Sequence, residues 1–193
     1  MTIRIAILFS GRGSNMVALA DAIQNGTIPN AEIALVLSDQ LTAKGVEIAQ
    51  KRGLKTLVIL RGGRKREEHD REIVSFLRNE RVDLICLAGY MRVLSPFFVD
   101  AFKDRILNIH PSLLPLFPGL DAQRQALENG ATVSGCTVHF VDNTLDGGPI
   151  IAQRTVPVMP DDTVDSLSAR ILEQEHILYP EAVALVLKQR FDG

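Results

Sequence analysis

Two polar side chains inside an apolar run are the first candidates for chemistry. In "ILNIHPSLLPLFPG", residues 106–119, Asn108 and His110 stand two apart among Ile106, Leu107 and Ile109. A β-strand sends residues i and i+2 to one face, so the two would project together. An Asn amide donates to a developing oxyanion, and a His transfers a proton near neutral pH. The pair therefore points to addition at a carbonyl, although an Asn and a His that only bond to backbone at a strand end would have the same spacing. Pro111 keeps His110 extended, because a residue before proline avoids the α region. Pro115 and Pro118 then restrict the path that leaves the strand.

A third candidate is Asp146 in "LDGGP", where Asp-Gly between two strands also reads as an ordinary hairpin turn. His139, in an apolar strand, and His176, in "EQEH", are single histidines of a kind more often structural than catalytic. No pair has metal-ligand spacing such as HExxH, so no metal is expected. "SGRGSN", residues 10–15, lies between a strand and a helix, where backbone N–H groups and the helix dipole favour an anion. Gly11 and Gly13 leave room for close approach, and Ser14 is placed to cap the helix or donate to a phosphate. A dinucleotide fingerprint would require glycine at Met16, and a Walker loop would require a Lys that is absent. Asp39, after the second strand, could be read as a ribose ligand. The basic segment "RGGRKREE" (61–68) brings either a second cation to the phosphate or only a solvated helix start.

The elements that must hold these groups alternate. Strands are expected at 3–9, 32–38, 55–60, 82–89 and 105–110, separated by helices. The first helix carries Met16, Leu19, Ala20 and Ile23 at i, i+3, i+4, i+7, and the third presents Ile73, Phe76 and Leu77. Ser95 is the expected N-cap of a fourth, with Pro96 at its first position. Continuous apolar strands between helices indicate a parallel sheet covered on both faces. "VSGCTVHFVD" (133–142) and "PIIAQRTVPV" (149–158) read as a strand–turn–strand unit, followed from about Val164 by a helix bent or divided at Pro180. The expected fold class is α/β: a twisted, mainly parallel sheet with a Rossmann-like N-terminal half. One continuous domain over 1–193 is expected, with halves 1–104 and 105–193.

Composition is consistent with this. At 193 residues, 46% hydrophobic and 23% charged, the chain is long enough for one sizeable core. A net charge of −2 gives no electrostatic footprint for nucleic acid, and no apolar run reaches the length of a membrane span. Cys86 and Cys136 lie in apolar surroundings outside any CxxC set, as expected of buried thiols in a reducing cytoplasm.

Taken in order, "SGRGSN", "AGYMRVLSP", "NIHPSLLPLFPG", "GCTVHFV" and "LDGGPII" resemble the phosphoribosylglycinamide formyltransferases, folate-dependent enzymes of purine synthesis, from residue 5 to about 182. The resemblance implies formyl transfer from 10-formyltetrahydrofolate, as co-substrate, to the amine of 5-phosphoribosylglycinamide. It implies that 1–104 is the phosphate-binding half and 105–193 the catalytic and folate-site half. Gly11, Gly13, Ser14, Asn15 and Met16 would bind the substrate phosphate end, helped by Arg66, and Glu175 would hold the glycinamide substrate. Met91, Arg92, Val93 and Leu94, with Asn108 and Val141, would hold the folate. Asn108, His110 and Asp146 would be catalytic, with His139 supporting them. A cis Leu114–Pro115 bond is also implied. The expected partners are these small molecules, with neither nucleic acid nor membrane, in a cytoplasmic monomer or homodimer. Leu116, Asp121 and Gln123 depart from the family pattern beside the substrate groove.

Four other readings remain for comparison. A formyltetrahydrofolate hydrolase would carry an extra N-terminal domain and "NIHHS" in place of "NIHPS". A methionyl-tRNA formyltransferase would need a further C-terminal domain beyond "KQRFDG". A phosphate-ligand-binding module would use "SGRGSN" alone and leave Asn108, His110 and Asp146 unexplained together. A nicotinamide oxidoreductase fails on Met16.

Overall fold

The computed structural model of the chain describes residues 2–191. Two compact units divide it, Met1–Leu107 and Asn108–Gly193. In the first, β1 (Ile3–Phe9), β2 (Ala31–Ser38), β3 (Thr56–Val58) and β4 (Leu84–Leu87) alternate with α1 (Ser14–Gln24), α2 (Lys44–Lys51), α3 (Arg66–Asn79) and α4 (Pro96–Ala101). β1 pairs in parallel with β2 and β4, and β2 with β3. The apolar runs explain this arrangement. Ile5, Ala6, Ile7, Leu8 and Phe9 are all buried, so β1 is covered on both faces, as parallel strands are. Each such Ile, Leu or Phe contributes roughly 1.5–3 kcal/mol by leaving water.

β5 (Ile106–His110) carries Asn108 and His110. The second unit continues with α5 (Ala122–Glu128), β6 (Val133–Phe140), β7 (Ile150–Pro157) and α6 (Val164–Phe191). The seven-stranded sheet has the order β3-β2-β1-β4-β5-β6-β7 and is mostly parallel, with β6 and β7 antiparallel. Their register shifts between Val138 and His139. Such a bulge re-aims the side chain that follows it, here a histidine. The fold class is the α/β class expected from the alternating pattern.

Several local expectations change. Ser14 does not cap α1: the cap position is Gly13, in the left-handed region at φ 76°, and Ser14 is already helical. On α1 the buried face uses Ala22, with Ile23 half-buried; on α3 it uses Val74, while Phe76 is 37% exposed. Ser95 does cap α4, its Oγ accepting from Phe98 N at 3.3 Å, with Pro96 next. α5 was not expected, because "AQRQALE" offers the core only Ala122 and Ala126. Pro180 does not divide α6, which runs on to Phe191. The residues around it, Leu178, Tyr179, Ala182 and Val183, are buried as α6 packs on β6 and β7. That burial offsets the one helical hydrogen bond a proline cannot make. The Leu114–Pro115 bond is cis.

Candidate active site

Within the second unit, the strand period sends Asn108 and His110 to one face, and the β6 bulge brings His139 against them. Asn108 Nδ2 and His139 Nε2 are 3.2 Å apart. His139 Nδ1 lies 2.9 Å from the Phe140 carbonyl oxygen. A carbonyl only accepts, so Nδ1 carries the proton, and the Nε2 lone pair accepts one Asn108 amide hydrogen. Burial lowers the His139 pKa, and this exceeds the raising effects of the Phe140 carbonyl and Asp146. His139 is therefore a neutral acceptor that orients the Asn108 amide. The second amide hydrogen of half-buried Asn108 has no protein partner among the described residues.

His110 is held at both ring nitrogens. Its Nε2–H donates to the Phe117 carbonyl at 2.9 Å, and its Nδ1 lies 3.5 Å from Asp146 Oδ2. Asp146 also accepts from Gly119 N–H at 2.8 Å, and its other oxygen lies 3.8 Å from His139 Nε2. The carboxylate thus faces two imidazoles.

The "LDGGP" turn explains how one short loop reaches them. Asp146 sits at φ 48°, a left-handed conformation that Asp tolerates better than most residues. Gly148 presses so closely on the Phe140 carbonyl that a Cβ there would overlap it. Phe140 N–H donates to the Pro149 carbonyl at 2.9 Å, which closes the loop on the end of β6. Val141 follows, half-buried. Glu175, on α6, is also buried. Burial first, and then the Glu175 charge, push the Cys136 thiol up to about 12, so this thiol stays protonated.

The first unit holds the other candidates. Gly11 O accepts from Gly45 N at 3.1 Å, and a Cβ on Gly13 would lie 2.8 Å from Gly45 Cα. The Gly-rich turn is therefore packed backbone to backbone against the start of α2, and Gly13 suits both the φ and the space. Asn15 and Met16 are buried, Met16 completely. A cleft of about 460 Å³ over this turn is lined by Ser10, Gly11, Arg12, Gln40, Thr42, Ala43, Lys44 and Met91.

Arg66 lines a different cavity, of about 160 Å³, with Arg61, His69, Asp70, Met91, Arg92 and Val93. It thus stands with the Met91–Val93 segment rather than along the cleft over the Gly-rich turn. Leu94, the last of that segment, is buried, whereas Met91 is 66% exposed and Val93 56%. Asp39 points inward and takes hydrogen bonds from Ser10 and Arg92, leaving no open ribose ligand. The Phe117 carbonyl, the Gly119 N–H and the role of Asp39 were missed from sequence. The first two are main-chain groups, which carry no residue type.

Comparison with known proteins gives a consistent result. The profile of the formyl transferase family matches residues 3–183. The chain is 48% identical over 186 residues to the trifunctional purine biosynthetic protein adenosine-3 of Drosophila melanogaster, covering 95% of this chain but only 14% of that protein. It is 44% identical over 181 residues to the phosphoribosylglycinamide formyltransferase of Escherichia coli (strain K12), covering 93% of this chain and 85% of the other. The crystal structure of glycinamide ribonucleotide transformylase 1 from Symbiobacterium toebii superposes with a TM-score of 0.95 at 49% identity, over 98% of this chain and 89% of that one. With 181 of its residues inside the family match, the chain belongs to the formyl transferase family.

Proposed function

We propose that the chain transfers the formyl group of 10-formyltetrahydrofolate to the amine of 5-phosphoribosylglycinamide, in purine biosynthesis in the cytoplasm. The observation that carries this reading is the cluster of Asn108, His110, His139 and Asp146, which suits a carbonyl that becomes an oxyanion. The substrate amine attacks the formyl carbon; a C–N bond forms and the carbonyl π pair moves to oxygen. The second N–H of Asn108, aimed by neutral His139, donates to that oxygen. His110 supplies the other donor once Nε2–H leaves the Phe117 carbonyl. Asp146, 3.5 Å from Nδ1, holds that ring in place. Collapse of the intermediate breaks the bond from carbon to the folate nitrogen. The proton lost by the attacking amine reaches that nitrogen through His110 or water, and tetrahydrofolate leaves.

The N-terminal turn of α1, with the main-chain N–H groups of Gly13, Ser14 and Asn15, is the proposed seat of the substrate phosphate, as helix N-termini accept anions. Gly11 and Met16 flank it, and Glu175 is the proposed ligand of the glycinamide substrate. Met91, Arg92, Val93 and Leu94, with Asn108 and Val141, are the proposed folate contacts. Arg66 shares a cavity with three of these residues, which favours a role on the folate side. The test is to mix the protein with 10-formyltetrahydrofolate, with and without 5-phosphoribosylglycinamide, and follow tetrahydrofolate release. Release that requires the amine is expected; release that ignores it would overturn transfer in favour of hydrolysis.

A further inference from the structure

Asp39 follows the last residue of β2 and is almost completely buried, with its side chain 1% exposed. Its Oδ1 accepts from Ser10 Oγ–H at 2.6 Å, and its Oδ2 from Arg92 Nε–H at 2.6 Å and Gln40 Nε2 at 3.2 Å. Ser10 Oγ accepts in turn from Met91 N–H at 2.9 Å. Ser10 N–H donates to the Gly89 carbonyl at 3.0 Å. One carboxylate therefore fixes the Arg92 guanidinium directly and the Met91 main chain through Ser10. Arg92 makes no other hydrogen bond among the described residues, and it lines the cavity that holds Met91 and Val93. A long arginine side chain loses much rotamer freedom when a ligand orders it, and a partner that holds it beforehand removes most of that cost.

We infer that Asp39 is a positioning residue for formylfolate: it sets Arg92 and the Met91 main chain in their binding geometry before the folate arrives. This rests on the reading that Met91, Arg92, Val93 and Leu94 hold the folate. A purely structural aspartate would alter folding and leave the two substrates equally affected. A positioning residue changes one KM and does so through Arg92.

The test measures steady-state kinetics for both substrates in wild type, Asp39→Ala, Asp39→Asn, Arg92→Ala and the double variants, with thermal melts to show folding. Arg92→Ala comes first: an unchanged formylfolate KM there would overturn the folate assignment of this segment, and the inference with it. With that established, Asp39→Ala is expected to raise the formylfolate KM about tenfold, with kcat and the amine-substrate KM within about threefold. In the Arg92→Ala background the same change should add less than about twofold, because coupled residues are not additive. Asp39→Asn, which keeps an acceptor for Ser10 or Arg92, should recover part of the loss. If Asp39→Ala does not fold, the cycle is read with Asp39→Asn, for which the same non-additivity is required. A folded Asp39 variant with formylfolate KM within twofold of wild type, or one whose full effect persists without Arg92, overturns the inference.

Discussion

The cluster of Asn108, His110, His139 and Asp146 divides into proposed donors and holders. On the proposed reading, Asn108 and His110 meet the oxyanion, and His139 and Asp146 orient them. Loss of one oxyanion donor typically costs on the order of 10²–10³ in turnover. Asn108→Ala and His110→Ala should each lose about that much kcat while staying folded, measured by folate release. His139→Ala leaves the Asn108 amide unaimed and should lose less, on the order of tenfold. His139 also predicts a pH effect on stability. Burial lowers its folded pKa below the ordinary 6.5, so the unfolded chain takes up the proton first as pH falls. Its contribution is complete above pH 6.5 and is lost as pH falls below that value toward the folded pKa. The slope is at most about 1.4 kcal/mol per pH unit for one proton. Urea unfolding at pH 7.5 and 5.5 should therefore show a smaller pH difference in His139→Gln than in wild type.

Two glycine turns can each be broken by one methyl. A Cβ on Gly148 would overlap the Phe140 carbonyl, which is also the acceptor that fixes the His139 tautomer. Gly148→Ala should therefore displace Asp146 and His139 together and lower kcat at least about tenfold, with the amine-substrate KM little changed. Gly13 stands at φ 76° with Gly45 Cα in the space a Cβ would take. Gly13→Ala combines left-handed strain with overpacking against backbone, about 2–4 kcal/mol in all. Denaturant titration should show this loss, together with a raised KM for the phosphate-bearing substrate.

For the chain as a whole, the buried thiols report on cooperativity. Cys86 and Cys136 form no disulfide among the described residues and are completely buried, and burial pushes the Cys136 thiol up to about 12. A thiol reagent at pH 8 should modify neither until the chain unfolds, with a midpoint that tracks the loss of structure. How much of this was legible beforehand depends on what each part is made of. β1, β2 and β4 are continuous apolar runs, so the parallel sheet could be read directly. α5 has too few apolar positions to show a period. Asn108 and His110 were visible because a two-residue spacing fixes their common direction, whereas Asp146 entered only through the resemblance, since an Asp-Gly turn alone reads as an ordinary hairpin. The Phe117 carbonyl and Gly119 N–H were not visible, since main-chain partners carry no residue type. Arg66 was expected at the phosphate turn, yet it lines the cavity beside Met91 and Arg92, a placement that only the path from β3 to α3 decides.

The central claim is that the formyl carbon passes to a substrate nitrogen through the Asn108–His110–Asp146 cluster. It is tested most directly by following that carbon. With 10-formyltetrahydrofolate labelled with ¹³C at the formyl group, NMR should show the label appearing on the glycinamide nitrogen of 5-phosphoribosylglycinamide, and Asn108→Ala and His110→Ala should slow its appearance at least about 100-fold. Label that accumulates as free formate, or transfer that proceeds at the wild-type rate in either folded variant, would contradict it.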